Sequence, residues 1–310
     1  MLKEKIFIYT FYRFKDLKNI KYIKKQLGIL TKGKLILGTI LIANEGINGT
    51  VSGPKKNLDL LIVEIKKLLK IKKLLLKTSK NQFIPFYRLK IRLKKEIVTL
   101  GDKSIKPDKI SGRYIPPKDW DKIINNRNYL IIDTRNEYEI DIGTFKNAYN
   151  PETKSFREFP NHIEKLMINK NQPIAMFCTG GIRCEKASSY LIKNGFKNVS
   201  QLDGGILNYL EYKKNKKINN WEGECFVFDN RVSVNSELNK GSYEQCYGCR
   251  HPITKEDMKL KSYVKGASCK YCIENKTDKK IKASLVRQRQ IDNAEMDQIG
   301  HSFKKIYSNK

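Results

Sequence analysis

Acidic residues, cysteines and long apolar runs are all scarce in this sequence, and each scarcity excludes something. Only 32 of the 310 residues are Asp or Glu against 62 Lys and Arg, leaving a net charge of +30. Seven cysteines are too few for a disulfide scaffold, and an odd number in a reducing compartment points to metal or thiol chemistry. No apolar run approaches the roughly 20 residues of a membrane span. The opening MLKEKIFIYTFYRF lacks the apolar core of a signal peptide, so a cytoplasmic chain without a membrane partner is expected. What is present, 40% hydrophobic and 10% aromatic residues, is enough for real cores and excludes a wholly disordered basic tail. The length predicts about two or three domains.

The charge needs discounting before it is read as function. Lys outnumbers Arg 50 to 12, and Ile and Asn are abundant, a pattern of codon drift in an AT-rich genome. Drift should act evenly, yet residues 1–100 carry +18, residues 101–224 carry +5 and residues 225–310 carry +7. Total charge argues only for solubility and attraction to polyanions; its concentration in the first third argues for a surface.

That first third reads as βαββαβ, a ferredoxin-like α+β unit spanning residues 1–100. A strand at 5–14 precedes a helix capped by Asp16, with Leu17, Ile20, Ile23 and Leu27 on one face and Gly28 at its end. A strand at 35–43 turns through 44–48 into a short partner at 49–52. Pro54 then opens a helix with apolar residues at Leu58, Leu61, Ile62, Ile65, Leu68 and Leu69. The closing strand is expected at 87–94, where Tyr87, Leu89, Ile91 and Leu93 alternate with Arg88, Lys90, Arg92 and Lys94, placing four cations on one face. This is either the wet side of a half-buried sheet or a track for a phosphate backbone. Tyr9, Phe11 and Tyr12 on the first strand would then be available to stack bases.

Residues 101–112, with Gly101, Pro107 and Gly112, read as a linker, and a short helix is expected around 119–124. A parallel α/β domain follows to residue 223, with strands at 129–133 and 173–177 and a helix at 156–168. Asp133, at the carboxyl end of its strand, and Arg135 lie where such sheets place their sites. The second strand runs into Cys178, Thr179, Gly180, Gly181, Ile182 and Arg183, with a helix expected from Cys184 to Gly195. Loop amides, the helix dipole and the Arg183 cation would all favour a negative sulfur. The Cys178 thiol should therefore fall toward the roughly 3.5 to 7.5 of activated cysteines and act as a nucleophile. The C-x4-R loop is one residue shorter than a phosphatase cradle and suits sulfur or a small anion better than phosphate. Cys184 either resolves a disulfide with Cys178 or sits inert on the face it shares with Ala187 and Leu191.

These motifs resemble known families. Asp133, Thr134, Arg135, Gly143, Ala148, the Cys178 loop and LDGGI at 202–206 look like a rhodanese domain over residues 113–223. ANEGINGT at 43–50, FREFP at 156–160, CTGGIRCEKA at 178–187 and WEGECFVFD at 221–229 narrow the resemblance to the bacterial rhodanese-domain tRNA uridine hydroxylases, over nearly the whole chain. The resemblance implies oxygen-dependent hydroxylation of the wobble uridine to 5-hydroxyuridine, a monooxygenase-like reaction in which Cys178 matches the family's catalytic cysteine. Its partner would be the anticodon arm of tRNA and its co-substrate molecular oxygen. No flavin, haem or non-haem iron pattern is visible, and no protein partner is indicated.

Residues 224–310 form a cysteine-rich segment with a basic tail. Cys246-x2-Cys249, then 19 residues, then Cys269-x2-Cys272 is the pairing of a four-thiolate zinc site built from two knuckles. A structural zinc would supply roughly 10 to 16 kcal/mol of apparent binding energy to a module too polar for a large core. Four reduced thiols without metal is the plainer alternative. His251 reads as a surface residue and Cys225 as core. Lys279, Lys280, Lys282, Arg287 and Arg289 mark either a solvated helix face or a second backbone contact with RNA.

Three functions remain open: a tRNA hydroxylase using Cys178, a sulfurtransferase carrying a persulfide on Cys178, and a non-catalytic RNA-binding scaffold. The loop suits the first two equally, and the basic first domain is surplus to a plain sulfur carrier.

Overall fold

The strand at Ile6–Phe14 (β1) is covered on both faces, and that placement organises the first half of the molecule. The computed structural model describes residues 6–81, 83–216 and 220–296. After β1 come α1 (Ile20–Thr31), β2 (Leu37–Ala43), β3 (Gly46–Gly53), α2 (Lys55–Leu69), β4 (Leu75–Asn81) and β5 (Leu89–Leu93). The sheet order is β4-β1-β3-β2-β5. The first four strands make the ferredoxin-like unit, with β1 antiparallel to both β3 and β4.

The closing strand is therefore β4, not the segment at 87–94. The latter, β5, is an added edge strand parallel to β2. Sequence pattern misses β4 because its Leu75 and Leu76 are adjacent rather than alternating, and both are exposed. On α2, Leu58, Leu61, Ile62, Ile65 and Leu69 are buried at the spacing of one helix face. α1 starts at Ile20 after Asn19, without a side-chain cap from Asp16, and runs past Gly28 to Thr31. Gly28 faces open space and interrupts nothing; Gly33, at φ +71°, turns the chain instead.

Tyr9, Phe11 and Tyr12 do not form a stacking surface. Tyr9 and Phe11 lie in the core under α1 and α2, while Tyr12 points to the opposite face and packs with Phe14, Ala43 and Ile97. A central strand with both faces covered leaves no aromatic free for a base.

The second layer contains β6 (Arg113–Ile115), α3 (Pro117–Ile124), β7 (Leu130–Asp133), α4 (Glu137–Ile140), β8 (Gly143–Phe145), α5 (Phe159–Lys165), β9 (Ile174–Phe177), α6 (Ile182–Lys193), β10 (Val199–Leu202) and α7 (Gly205–Lys213). Its sheet, β6-β10-β9-β7, is parallel throughout. α5 is shorter than expected, since Phe156–Glu158 form a 3-10 turn and Pro160 occupies the first helical turn. α6 begins two residues before Cys184, so Arg183 and Cys184 both lie in its first turn. β11 (Trp221–Gly223) pairs with β8, and the hairpin of β12 (Cys225–Phe226) and β13 (Ser233–Val234) buries Cys225, Val227 and Val234 in the same core. The cysteine module carries β14 (Glu244–Gln245), β15 (Pro252–Ile253) and the helix α8 (Asp278–Met296). Among the described residues, no helix is long and apolar enough to cross a membrane.

Candidate active site

β9 delivers Cys178 to the carboxyl edge of the parallel sheet, and the Cys178–Arg183 loop folds back over its sulfur. The Gly181 amide donates to Cys178 Sγ at 3.1 Å. Gly181 adopts φ +98°, a conformation that turns this amide inward. The loop rests on the start of α7, where the amides of Ile206 and Leu207 donate to the carbonyls of Cys178 and Thr179 at 2.9 and 3.1 Å. Gly205 makes this approach possible: a Cβ there would stand 2.3 Å from the Cys178 carbonyl oxygen. Gly180 has open space around it, and the Thr179 hydroxyl reaches the Phe226 carbonyl.

Cys178 is 1% exposed, and burial alone would raise its pKa. A hydrogen bond from the Cys184 thiol, the Arg183 charge and the amides of Cys184 and Gly181 outweigh burial and bring it down to about 5. Cys184 moves the other way: burial and the adjacent Cys178 hold it well above the ordinary thiol value, so it stays a neutral donor. It is buried with Ala187 and Leu191 and lies 3.5 Å from the Thr134 hydroxyl.

Arg183 does not hang free in the loop. Its two terminal nitrogens donate to the two carboxylate oxygens of Glu139 at 2.7 and 2.6 Å. Asp133 and Arg135 act further out. Arg135 pairs with Asp133 and donates to the carbonyls of Glu139 and Gly143 at 3.1 and 2.6 Å, fixing the α4–β8 segment that carries Glu139. No spacing rule connects Glu139 to Arg183, so sequence reading misses it.

The first domain closes over this loop. The Tyr12 hydroxyl donates to Glu185 Oε1 at 2.7 Å and stands 3.0 Å from where a Gly181 Cβ would be. Lys77 on β4 donates to the Gly204 carbonyl, and its pKa is pushed down to about 8 by burial, against the pull of Cys178. Behind the loop, buried Lys186 joins Glu96 at 2.6 Å and Glu45 at 2.7 Å. Glu45 is the tip of the β2–β3 hairpin, which assigns a job to the ANEGINGT segment. On the open side Phe228, 61% exposed within an otherwise buried run, lies 5.9 Å from the Arg183 guanidinium.

Arg92 on β5 and Arg88 and Lys94 at its two ends are exposed, and Lys90 is half-buried. Burial lowers the Lys90 pKa, and the charges of Arg88, Arg92, Arg250 and Arg287 lower it further, so cations of the first knuckle and of α8 act through space on this strip. The ligand atoms of Cys246, Cys249, Cys269 and Cys272 lie within 4.8 Å of one another. Zn–S bonds of about 2.3 Å place tetrahedral sulfurs about 3.8 Å apart, which fits the 3.7 Å between Cys249 and Cys269. A four-thiolate set leaves no open position, so a metal here would be structural. His251 is not part of the cluster; it is half-buried rather than on the surface, stacked on Tyr271 with ring centres 3.9 Å apart.

Residues 6–97 match the UPF0176 acylphosphatase like domain and residues 116–212 match the Rhodanese-like domain. The chain belongs to the UPF0176 rhodanese-domain family. Several solved structures are similar over about a third of the chain. A rhodanese-related protein from Thermoplasma volcanium is 24% identical, covering 32% of this chain and 92% of its own, with a TM-score of 0.28. A rhodanese-like domain protein from Staphylococcus aureus is 24% identical over 31% of this chain and 90% of its own, with a TM-score of 0.27. A polysulfide-sulfur transferase from Wolinella succinogenes is 24% identical over 35% and 80%, with a TM-score of 0.30. The chain is a rhodanese-fold protein, with the Cys178 loop at the carboxyl edge of its parallel sheet.

Proposed function

We propose that the protein is a tRNA-modifying enzyme that hydroxylates the wobble uridine at C5 with molecular oxygen, using Cys178 as a covalent nucleophile. The observation that carries this reading is the placement of a basic domain directly over a thiolate loop, with Tyr12 and Lys77 at its rim. The β5 cations belong to the same sheet as Tyr12 and Lys77, so a polyanion held on them would be bound to the domain that closes over that sulfur. Attack of the thiolate at C6 of a pyrimidine forms the S–C6 bond and moves the C5=C6 pair onto C5, the position to be oxidised. One oxygen atom is added at C5 while the other leaves as water with two electrons from an external reductant; loss of the C5 proton and departure of the thiolate then restore the C5=C6 bond. The exposed Phe228 ring beside Arg183 suits an unstacked base. The cysteine module would hold one structural zinc and extend the basic surface through Arg250 and Arg287.

A rhodanese-type sulfurtransferase is the second reading. It is favoured by the same low thiol pKa and by the loop amides, which would stabilise a persulfide anion as well as a thiolate. Nucleoside analysis of tRNA incubated with the pure protein, with and without oxygen, tests the two. Oxygen-dependent 5-hydroxyuridine supports hydroxylation. Thiouridine formation from a sulfur donor, without 5-hydroxyuridine, overturns it.

A further inference from the structure

Six carboxylates are buried among the described residues, and five of them face a cation. Glu96 pairs with Lys186, Asp133 with Arg135, Glu139 with Arg183, Asp229 with Arg231 and Asp257 with Lys270, at 2.5 to 2.7 Å. The sixth, Glu185, has no such ion pair. Its partners are phenols: Tyr12 from β1 at 2.7 Å, and Tyr114 from β6. A buried carboxyl held by neutral donors is expensive as an anion, and folded proteins seldom keep one without a use. Glu185 also lies one helical turn from the Cys178 loop, on the side where Tyr12 meets Gly181.

The groups that face it set its protonation. Burial raises its pKa and the Cys178 charge adds to that, while Tyr12, Tyr114 and the through-space pull of Arg13 oppose it. Cys178 is driven in the opposite direction, to about 5. A thiol shifted down and a carboxyl shifted up in one site point to an acid and base assignment, with negative charge favoured on Cys178 and the proton favoured on Glu185.

We propose that Glu185 is the proton-transfer group of the Cys178 site, held in place across the domain boundary by Tyr12. The inference rests on the pyrimidine reading above. As the Cys178 thiolate forms the S–C6 bond, the C5=C6 electron pair takes the proton of the Glu185 carboxyl at C5, leaving a carboxylate and a neutral adduct. In reverse, the carboxylate removes a hydrogen from C5, the C5=C6 bond reforms and the thiolate departs. Neither direction needs an oxidant. The balance predicts that the enzyme exchanges the C5 hydrogen of its target uridine with solvent even without oxygen.

The test is mass-spectrometric measurement of deuterium at C5 after anaerobic incubation of tRNA with the full-length protein in heavy water. Wild type should exchange, Cys178→Ser should not, and Glu185→Gln should slow exchange by about a hundredfold or more, the usual yield of general acid–base catalysis. Ultraviolet thiolate absorbance confirms that Glu185→Gln keeps the folded site, because Cys178 must still titrate near its depressed value. Tyr12→Phe supplies a second readout that a purely structural role would not move. Tyr12 holds the Glu185 pKa down, so its loss should shift the alkaline limb of the exchange profile to higher pH. Equal exchange in wild type and Glu185→Gln, or an unmoved limb in Tyr12→Phe, overturns the assignment alone. No exchange in wild type overturns the addition step and the assignment together.

Discussion

Arg183 gives both terminal nitrogens to Glu139, so the loop cation is paired with a carboxylate from α4. The pair is buried, and breaking it from one side strands a charge. Glu139→Gln should cost about 3–5 kcal/mol in urea unfolding. In molecules that remain folded it should lower the Cys178 pKa further, because Arg183 then acts on the sulfur unopposed.

Cys178 should titrate as a thiolate with a midpoint near pH 5. The group is ionised above its folded pKa, so the charge present at neutral pH is lost as pH falls through that value. The ultraviolet absorbance difference between wild type and Cys178→Ser reads this directly. Cys184→Ala removes a hydrogen-bond donor to the thiolate and should move the midpoint upward.

Lys186→Met leaves Glu45 and Glu96 facing each other without a cation. The expected cost is about 3–5 kcal/mol, seen in calorimetry as two transitions in place of one. In wild type the same contact should loosen in acid. Burial works against the Glu96 charge, but Lys186 and the amides of Leu100 and Gly101 leave its folded pKa below the ordinary carboxylate range. Its contribution is therefore complete above that range and fades as pH falls through it.

Metal analysis should find one zinc per chain, and a strong chelator should make the module around Cys246, Cys249, Cys269 and Cys272 sensitive to protease. The parallel sheet should survive that treatment. Retained protease resistance after complete metal removal would return the four thiols to an ordinary small core.

Charge reversal at Arg92 and Lys94 should weaken tRNA binding and reduce its dependence on salt, with the logarithmic slope falling by about two. The Cys178 titration should not change. Filter binding across a salt series measures the first, and unchanged affinity would leave the β5 cations as solvated surface.

The sequence made the site's centre readable because its chemistry is local. Cys178 through Arg183 is one strand, loop and helix start, and the spacing of two cysteine pairs defines the metal cluster without any folding. β4 was hidden because half-exposed Leu75 and Leu76 show no alternation, and its partner β1 lies more than sixty residues away. The roles of Tyr9, Phe11 and Tyr12 were misread because a strand's sequence does not say whether its second face meets water or another domain. Glu139, Glu185 and Lys77 carry no local signature, since each gains its meaning from a residue on a different element.

Lys186 belongs to a helix of the rhodanese domain, yet both of its counter-charges arrive from residues that precede that domain. The two halves are thus bound to a shared inheritance. A gene fragment encoding only residues 113–223 would express a helix with an ammonium group and no carboxylate to answer it. Recombination that exchanged this rhodanese domain for another of the same fold, without a lysine at this position, would lose the lock. Selection on the first domain is, through Glu45 and Glu96, selection on the second.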